Sequence, residues 1–174
     1  MNRRDFHRFA VLGLGSLMKL ALLVPGAAYL LSPLRKKAAE SGLVSLTRLS
    51  QLQVGVPRAF AIIQDRQDAW VRYPGEPVGS VWLVRQPEGA KAPVLALNSE
   101  CPHLGCAINL TADGKDFLCP CHTSAFELDG TPRNSVPPRP MDRLEVELGS
   151  GADPLVRVRF ERFRTQSEEK IPLV

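Results

Sequence analysis

Every cysteine in this chain, and two of its three histidines, fall inside two short boxes. The first reads Cys101-Pro102-His103-Leu104-Gly105-Cys106, and the second reads Cys119-Pro120-Cys121-His122-Thr123-Ser124. Unconstrained residue use would scatter these side chains, whereas a metal site must gather them. The pairs Cys101/His103 and Cys119/His122 offer two thiolates and two imidazoles, enough for one metal centre. Cys106 and Cys121 are left over as a matching pair. Any fold open to this chain therefore has to bring two loops onto one centre.

Three chemistries compete for that centre. Two structural disulfides would use all four cysteines but leave both histidines unexplained. Zinc takes the same ligand types, yet common zinc modules are spaced Cys-x(2–4)-Cys and His-x(3–5)-His, and zinc has no use for a flanking cysteine pair. A 2Fe–2S cluster in which two imidazoles replace two thiolates on one iron suits the mixed set. Zinc and paired disulfides stand as the alternatives.

The boxes resemble those of Rieske iron–sulfur proteins of the quinol–cytochrome c oxidoreductase kind, from cytochrome bc-type complexes. The family pattern is C-T-H-L-G-C followed by C-P-C-H-G-S-x-Y; here it is C-P-H-L-G-C and C-P-C-H-T-S-A-F. The likeness is specific in the boxes and looser over roughly residues 38–163. It implies that Cys101 and Cys119 bind one iron and His103 and His122 the other. It also implies a disulfide between Cys106 and Cys121, a pair that the Rieske ferredoxins of aromatic-ring dioxygenases lack. The implied fold is all-β: a Rieske-type antiparallel β-sandwich with an inserted cluster-binding subdomain.

Charge separates the chain into two parts. Residues 1–37 carry seven basic side chains and one acid, a net of +6, while the remainder carries 15 basic and 17 acidic, a net of −2. The basicity belongs to the N-terminal segment. The rest has no basic stripe and no aromatic-rich RNA motif, so a nucleic-acid partner is not expected. Residues 1–8, with Asn2-Arg3-Arg4-Asp5-Phe6, resemble a twin-arginine export signal, suited to a protein loaded with its cofactor before export. Residues 9–31 form a mostly apolar run of 23 residues, about 34 Å as a helix and enough for a hydrocarbon core of roughly 30 Å. No clear A-x-A-like cleavage site follows, so the run reads as a retained transmembrane helix. Lys19 inside it is expected to snorkel, and Pro25-Gly26 to bend it. Flanking charges tie across the run. The twin-arginine motif and the implied disulfide place the following domain outside a bacterial cytoplasmic membrane, on the periplasmic side.

Residues 32–42 read as a linker, and the resemblance implies a hinge there. From residue 43 to 174 short apolar or alternating runs predict strands: 59–63, 69–73, 80–84, 94–97, 144–148 and 155–160. Pro74-Gly75, Pro87-Glu88-Gly89 and Asp129-Gly130 predict turns. The cluster-binding part is expected at about 98–134. Pro132, Pro137, Pro138 and Pro140 predict a stiff connection, and the resemblance makes it the loop that covers one side of the cluster. The Glu168-Glu169-Lys170 tail reads as a solvated end.

The expected chemistry is one-electron transfer coupled to a proton. An iron-bound imidazole keeps its second ring nitrogen free, and an oxidised, more positive cluster makes that N–H more acidic. The resemblance points to His122 as the quinol-facing ligand, with His103 also near the surface and Leu104 shielding the cluster. Ser124 occupies the position of a serine that donates a hydrogen bond to the cluster in high-potential members. Phe126 stands where such members place a tyrosine, and it has no hydroxyl. Thr123 replaces the usual glycine. These departures predict a low potential, favouring menaquinol as donor. The resulting expectation is an electron-transfer subunit with b-type and c-type cytochrome partners, in a dimeric or larger respiratory complex. The small Rieske subunit of an arsenite-oxidase-type molybdoenzyme is the alternative.

Overall fold

A computed structural model describes residues 2–35, 42–68 and 70–173. They fall into two compact units. The first contains a long helix, α1 (Arg3–Leu30), a single turn, α2 (Ser32–Arg35), and residues 67–68 and 70–72. The second contains the β-structure. Of the expected linker, residues 36–41 lie outside the described residues.

α1 spans 28 residues, about 42 Å of helix, with a mean hydropathy of 1.8 in its most apolar window and none of that window buried. It is long and apolar enough to cross a membrane. Leu12, Leu17, Leu20, Leu22 and Leu23 all stand exposed, so the apolar surface runs round the helix rather than along one stripe. The helix continues through Pro25 and Gly26 to Leu30. Within this unit the Trp70 indole stacks on the Tyr29 ring at 5.4 Å and donates to the Tyr29 carbonyl at 2.9 Å.

The second unit holds nine strands: β1 (Leu43–Arg48), β2 (Pro57–Asp68), β3 (Val71–Arg85), β4 (Val94–Asn98), β5 (Asn109–Leu110), β6 (Asp116–Leu118), β7 (Ala125–Glu127), β8 (Arg143–Leu148) and β9 (Leu155–Arg159). Residues 67–68 and 70–72, at the end of β2 and the start of β3, belong to the first unit. Six strands form one sheet in the order β1-β9-β8-β4-β3-β2, and β5-β6-β7 form a second. The pairings of β1 with β9, β8 with β9, β4 with β8 and β3 with β4 are antiparallel. After β1 the chain turns through residues 49–51, and Val54 then bridges Arg85 at the end of β3. The Arg85 guanidinium ties the same segment down through the carbonyls of Leu49 and Leu52. The large sheet therefore curls round one core of Ile62, Val81, Leu83, Val94, Val156 and Val158. These side chains sit at alternate positions of their strands, which is why the period-two pattern located the strands.

Two expectations need correction. Pro74-Gly75 is not a turn but lies inside β3. Gly75 takes φ 64° and gives its N–H to the Asp65 carboxylate at 3.0 Å, so the strand absorbs the proline and continues. β3 consequently begins at Val71, within the expected strand 69–73, and Ala69 lies outside the described residues. The tail is not merely solvated. The Lys170 ammonium donates to the Arg143 carbonyl at 2.5 Å and lies 4.4 Å from the centre of the Phe163 ring.

Candidate metal centre

The small sheet exists to carry the two boxes. Its inner side chains, Phe117 and Phe126, pair across β6 and β7 and are wholly buried. With Leu97, Ile108, Met141 and the two cysteines Cys101 and Cys119 they make a second core. The boxes are the loops that leave this core: the first between β4 and β5, the second between β6 and β7.

Each loop is closed across its base. The Cys101 N–H donates to the Cys106 carbonyl at 2.9 Å, and the Cys119 N–H to the Ser124 carbonyl at 2.8 Å. Gly105 takes φ 80°, which lets its N–H turn back to the Cys101 carbonyl at 2.8 Å. Cys106 and Cys121 form a disulfide with a Cα–Cα separation of 6.5 Å, joining the two loops. The implied pairing is therefore present, and the alternative of two disulfides is excluded, because Cys101 and Cys119 are free.

The remaining donors lie in two pairs, the cysteines beside each other and the histidines beside each other. Cys101 and Cys119 are buried. His103 and His122 meet edge to face, their ring centres 4.9 Å apart and their planes at 81°. His103 is half-buried and His122 exposed. Leu104, in the first box, stands 45% exposed. The Cys119 sulfur also lies within 4.8 Å of the disulfide sulfurs, but those are spent on each other.

The electrostatics of the two cysteines suit metal ligation. Burial pushes the Cys101 thiol up from its ordinary value, and the neighbouring Cys119 adds to that, while the His103 backbone N–H and the Ser124 hydroxyl oppose it. A positive iron is what would hold both sulfurs as thiolates. Ser124 is wholly buried and its hydroxyl has no hydrogen-bond partner of acceptable geometry. It nevertheless faces the Cys101 sulfur closely enough to affect it. A buried hydroxyl without an acceptor is costly, and a cluster sulfur at this place would supply one. Two sulfurs, two imidazoles and an orphaned donor thus fit a 2Fe–2S cluster of the mixed-ligand kind.

The sequence reading missed the supports behind these loops. Asn134 donates from Nδ2 to the Thr123 carbonyl at 2.7 Å. Arg139 and Asp142, 6% and 5% exposed, form a bidentate ion pair at 3.0 and 2.7 Å. The Arg139 guanidinium also reaches the Ser167 carbonyl at 2.6 Å, and the Gln166 N–H donates to the Pro102 carbonyl at 2.9 Å. The C-terminal segment therefore braces both the first box and the proline segment. An arginine set between prolines with an acid three residues on was the only sequence signal for this.

A family model for the Rieske [2Fe-2S] domain matches residues 44–146. The chain is 31% identical over 155 residues to the menaquinol:cytochrome c reductase iron-sulfur subunit of Bacillus subtilis, covering 87% of this chain and 89% of that one. It is 29% identical to the subunit of the same description from Geobacillus thermodenitrificans, covering 87% and 88%. Among solved structures, a chain of a hyperthermophilic respiratory Complex III is 25% identical, covering 83% of this chain and 97% of that one, with a TM-score of 0.44. The donor set, the disulfide between the loops and the family match agree: the chain belongs to the Rieske [2Fe–2S] family.

Proposed function

We propose that this protein is the membrane-anchored electron-transfer subunit of a cytochrome bc-type complex, oxidising quinol, with menaquinol the favoured donor, and reducing a c-type cytochrome. The observation that carries the reading is the gradient of exposure across the donors: Cys101 and Cys119 buried, His103 half-buried, and His122 exposed with an exposed apolar residue, Leu104, in the first box. In this reading Cys101 and Cys119 hold one iron and His103 and His122 the other. A bound 2Fe–2S cluster supplies the capacity to take one electron.

The chain's own residues supply the rest. His122, exposed, presents the ring nitrogen not committed to iron, and a quinol hydroxyl donates its hydrogen bond there. As one electron leaves the quinol, the proton of that hydroxyl passes to the same nitrogen of His122. Leu104 and the half-buried His103 exclude water from one side of that contact. With a cluster bound, Ser124 would donate to a cluster sulfur and favour the reduced state, because a hydrogen bond to a more negative acceptor is stronger. Phe126, wholly buried at the position where the family pattern has tyrosine, has no hydroxyl to donate. One donor instead of two gives a lower potential within the Rieske range of roughly −150 to +300 mV, and that suits menaquinol.

In the same proposal residues 1–8 act as a twin-arginine signal, 9–31 as the retained anchor and 32–42 as a hinge. Residues 43–174 form the head, on the outer side of the cytoplasmic membrane, with its cluster-binding part at about 98–134. A b-type and a c-type cytochrome subunit complete a dimeric complex. Solubilising membranes in mild detergent and purifying the tagged chain tests this. Haem b and haem c should co-purify; molybdopterin in their place would replace the proposal with the arsenite-oxidase type.

A further inference from the structure

The two loops of the site are built alike, with one discordant residue. In each, the N–H of the first cysteine meets the carbonyl five residues on. In each, the residue four beyond that cysteine lies in the left-handed region: Gly105 at φ 80° and Thr123 at φ 59°. Glycine adopts that conformation freely, whereas a β-branched residue is a steric outlier there. The second loop thus holds a strained residue immediately after His122.

A strained residue persists only where its surroundings over-determine it. Thr123 donates from its own hydroxyl to the His122 carbonyl at 2.7 Å. Asn134 reaches across from the start of the proline segment. Its amide nitrogen donates to the Thr123 carbonyl at 2.7 Å, and its amide oxygen accepts, at 3.4 Å, from the Ala125 N–H. One side chain therefore grips the backbone on both sides of Ser124, the residue whose hydroxyl faces the Cys101 sulfur. The first loop has no such need, because glycine stands at its left-handed position and the C-terminal segment holds Pro102 from behind.

We propose that Asn134 is a positioning residue for His122: it keeps the strained turn at Thr123 in place and thereby sets both the His122 imidazole and the Ser124 hydroxyl toward the cluster. This rests on the assignment of His122 as an iron ligand. The donating arm carries the effect, since it is the short one.

The test uses the full chain in membranes, as Asn134→Ala, Asn134→Asp, Thr123→Gly and the Thr123→Gly/Asn134→Ala pair. Asn134→Asp keeps an acceptor for the Ala125 N–H but cannot donate to the Thr123 carbonyl, so it isolates that arm. Linewidth of the reduced EPR signal, midpoint potential at one fixed pH, and the half-life of cluster loss are read together. Asn134→Ala and Asn134→Asp should broaden the signal, lower the potential and speed cluster loss about fivefold, the effect of one good hydrogen bond. Thr123→Gly should keep a sharp signal. In its background the Asn134→Ala effect should shrink to less than about twofold, because glycine needs no restraint. The proposal is overturned if both Asn134 variants match the wild type, or if the Asn134→Ala penalty is the same with glycine at position 123. Should Asn134→Ala fail to fold, Asn134→Asp and the double variant decide between the same outcomes. A wild type without a Rieske-type signal would instead overturn the ligand assignment; a wild-type signal indifferent to both Asn134 variants overturns the clamp alone.

Discussion

Replacing Ser124 by alanine should lower the reduction potential by about 40–65 mV. The hydroxyl is wholly buried, lacks a partner among the protein's own polar atoms, and faces the Cys101 sulfur. With a cluster bound, its remaining acceptor is a sulfur. A hydrogen bond to a neutral acceptor contributes about 0.5–1.5 kcal/mol, and one to a charged acceptor about 1.5–3. The difference between oxidised and reduced cluster is therefore about 1–1.5 kcal/mol. For a one-electron couple, where about 1.4 kcal/mol corresponds to 59 mV, that converts to the range given. Alanine removes the hydroxyl without stranding another polar group, so folding should be unharmed and the shift readable as electronic. The assay is a redox titration of membranes followed by EPR. An unchanged potential, or a rise, would refute the reasoning, since it would mean the hydroxyl does not meet the cluster.

Four further outcomes follow from the same geometry. Phe126→Tyr should raise the potential by a similar amount; an unchanged titration would show that tyrosine's hydroxyl finds no sulfur there. Replacing Cys106 and Cys121 together by alanine should cost about 3 kcal/mol, the loop-closure value for a separation of 15 residues, seen as a lower denaturation midpoint and faster cluster loss. Arg139→Met leaves Asp142 as an uncompensated buried charge and should cost about 3–5 kcal/mol in chemical denaturation, whereas replacing both by apolar residues should recover much of it. The Thr131 N–H holds the Asp129 carboxyl below its ordinary range. Its contribution is complete above the unfolded carboxylate pKa and fades as pH falls through the lower folded one, and Asp129→Asn should remove that acid dependence from the melting curve.

The parts legible in the sequence are those where chemistry or periodicity leaves few choices. Cys101, His103, Cys119 and His122 stood out as candidate ligands because metal ligation admits few residue types, and the resemblance in the boxes supplied the Cys106–Cys121 pairing that the structure shows. The strands of the large sheet were legible where one face is buried, as at Leu144–Leu148 and Leu155–Arg159. The strands of the small sheet are two or three residues long, too short for a period to show. Pro74-Gly75 misled because a local turn signal was overridden by tertiary hydrogen bonding through Asp65. The spacing of Arg139 and Asp142 hinted at their ion pair, but nothing local announces that Arg139 reaches Ser167, that Gln166 reaches Pro102, or that Asn134 clamps Thr123. Thr123 was visible as a departure from glycine, but only the backbone angle reveals its strain.

The measurement that bears most directly on the central claim is EPR of the full chain in membranes before and after addition of a menaquinol analogue. The account predicts a Rieske-type signal that grows on addition of the quinol and shows nitrogen couplings from two imidazoles. In Ser124→Ala, with the potential lowered by about 40–65 mV, the same growth should need a quinol/quinone ratio that is more reducing by a comparable potential. A silent spectrum with stoichiometric zinc, or a cluster that dithionite reduces but menaquinol does not, would contradict it.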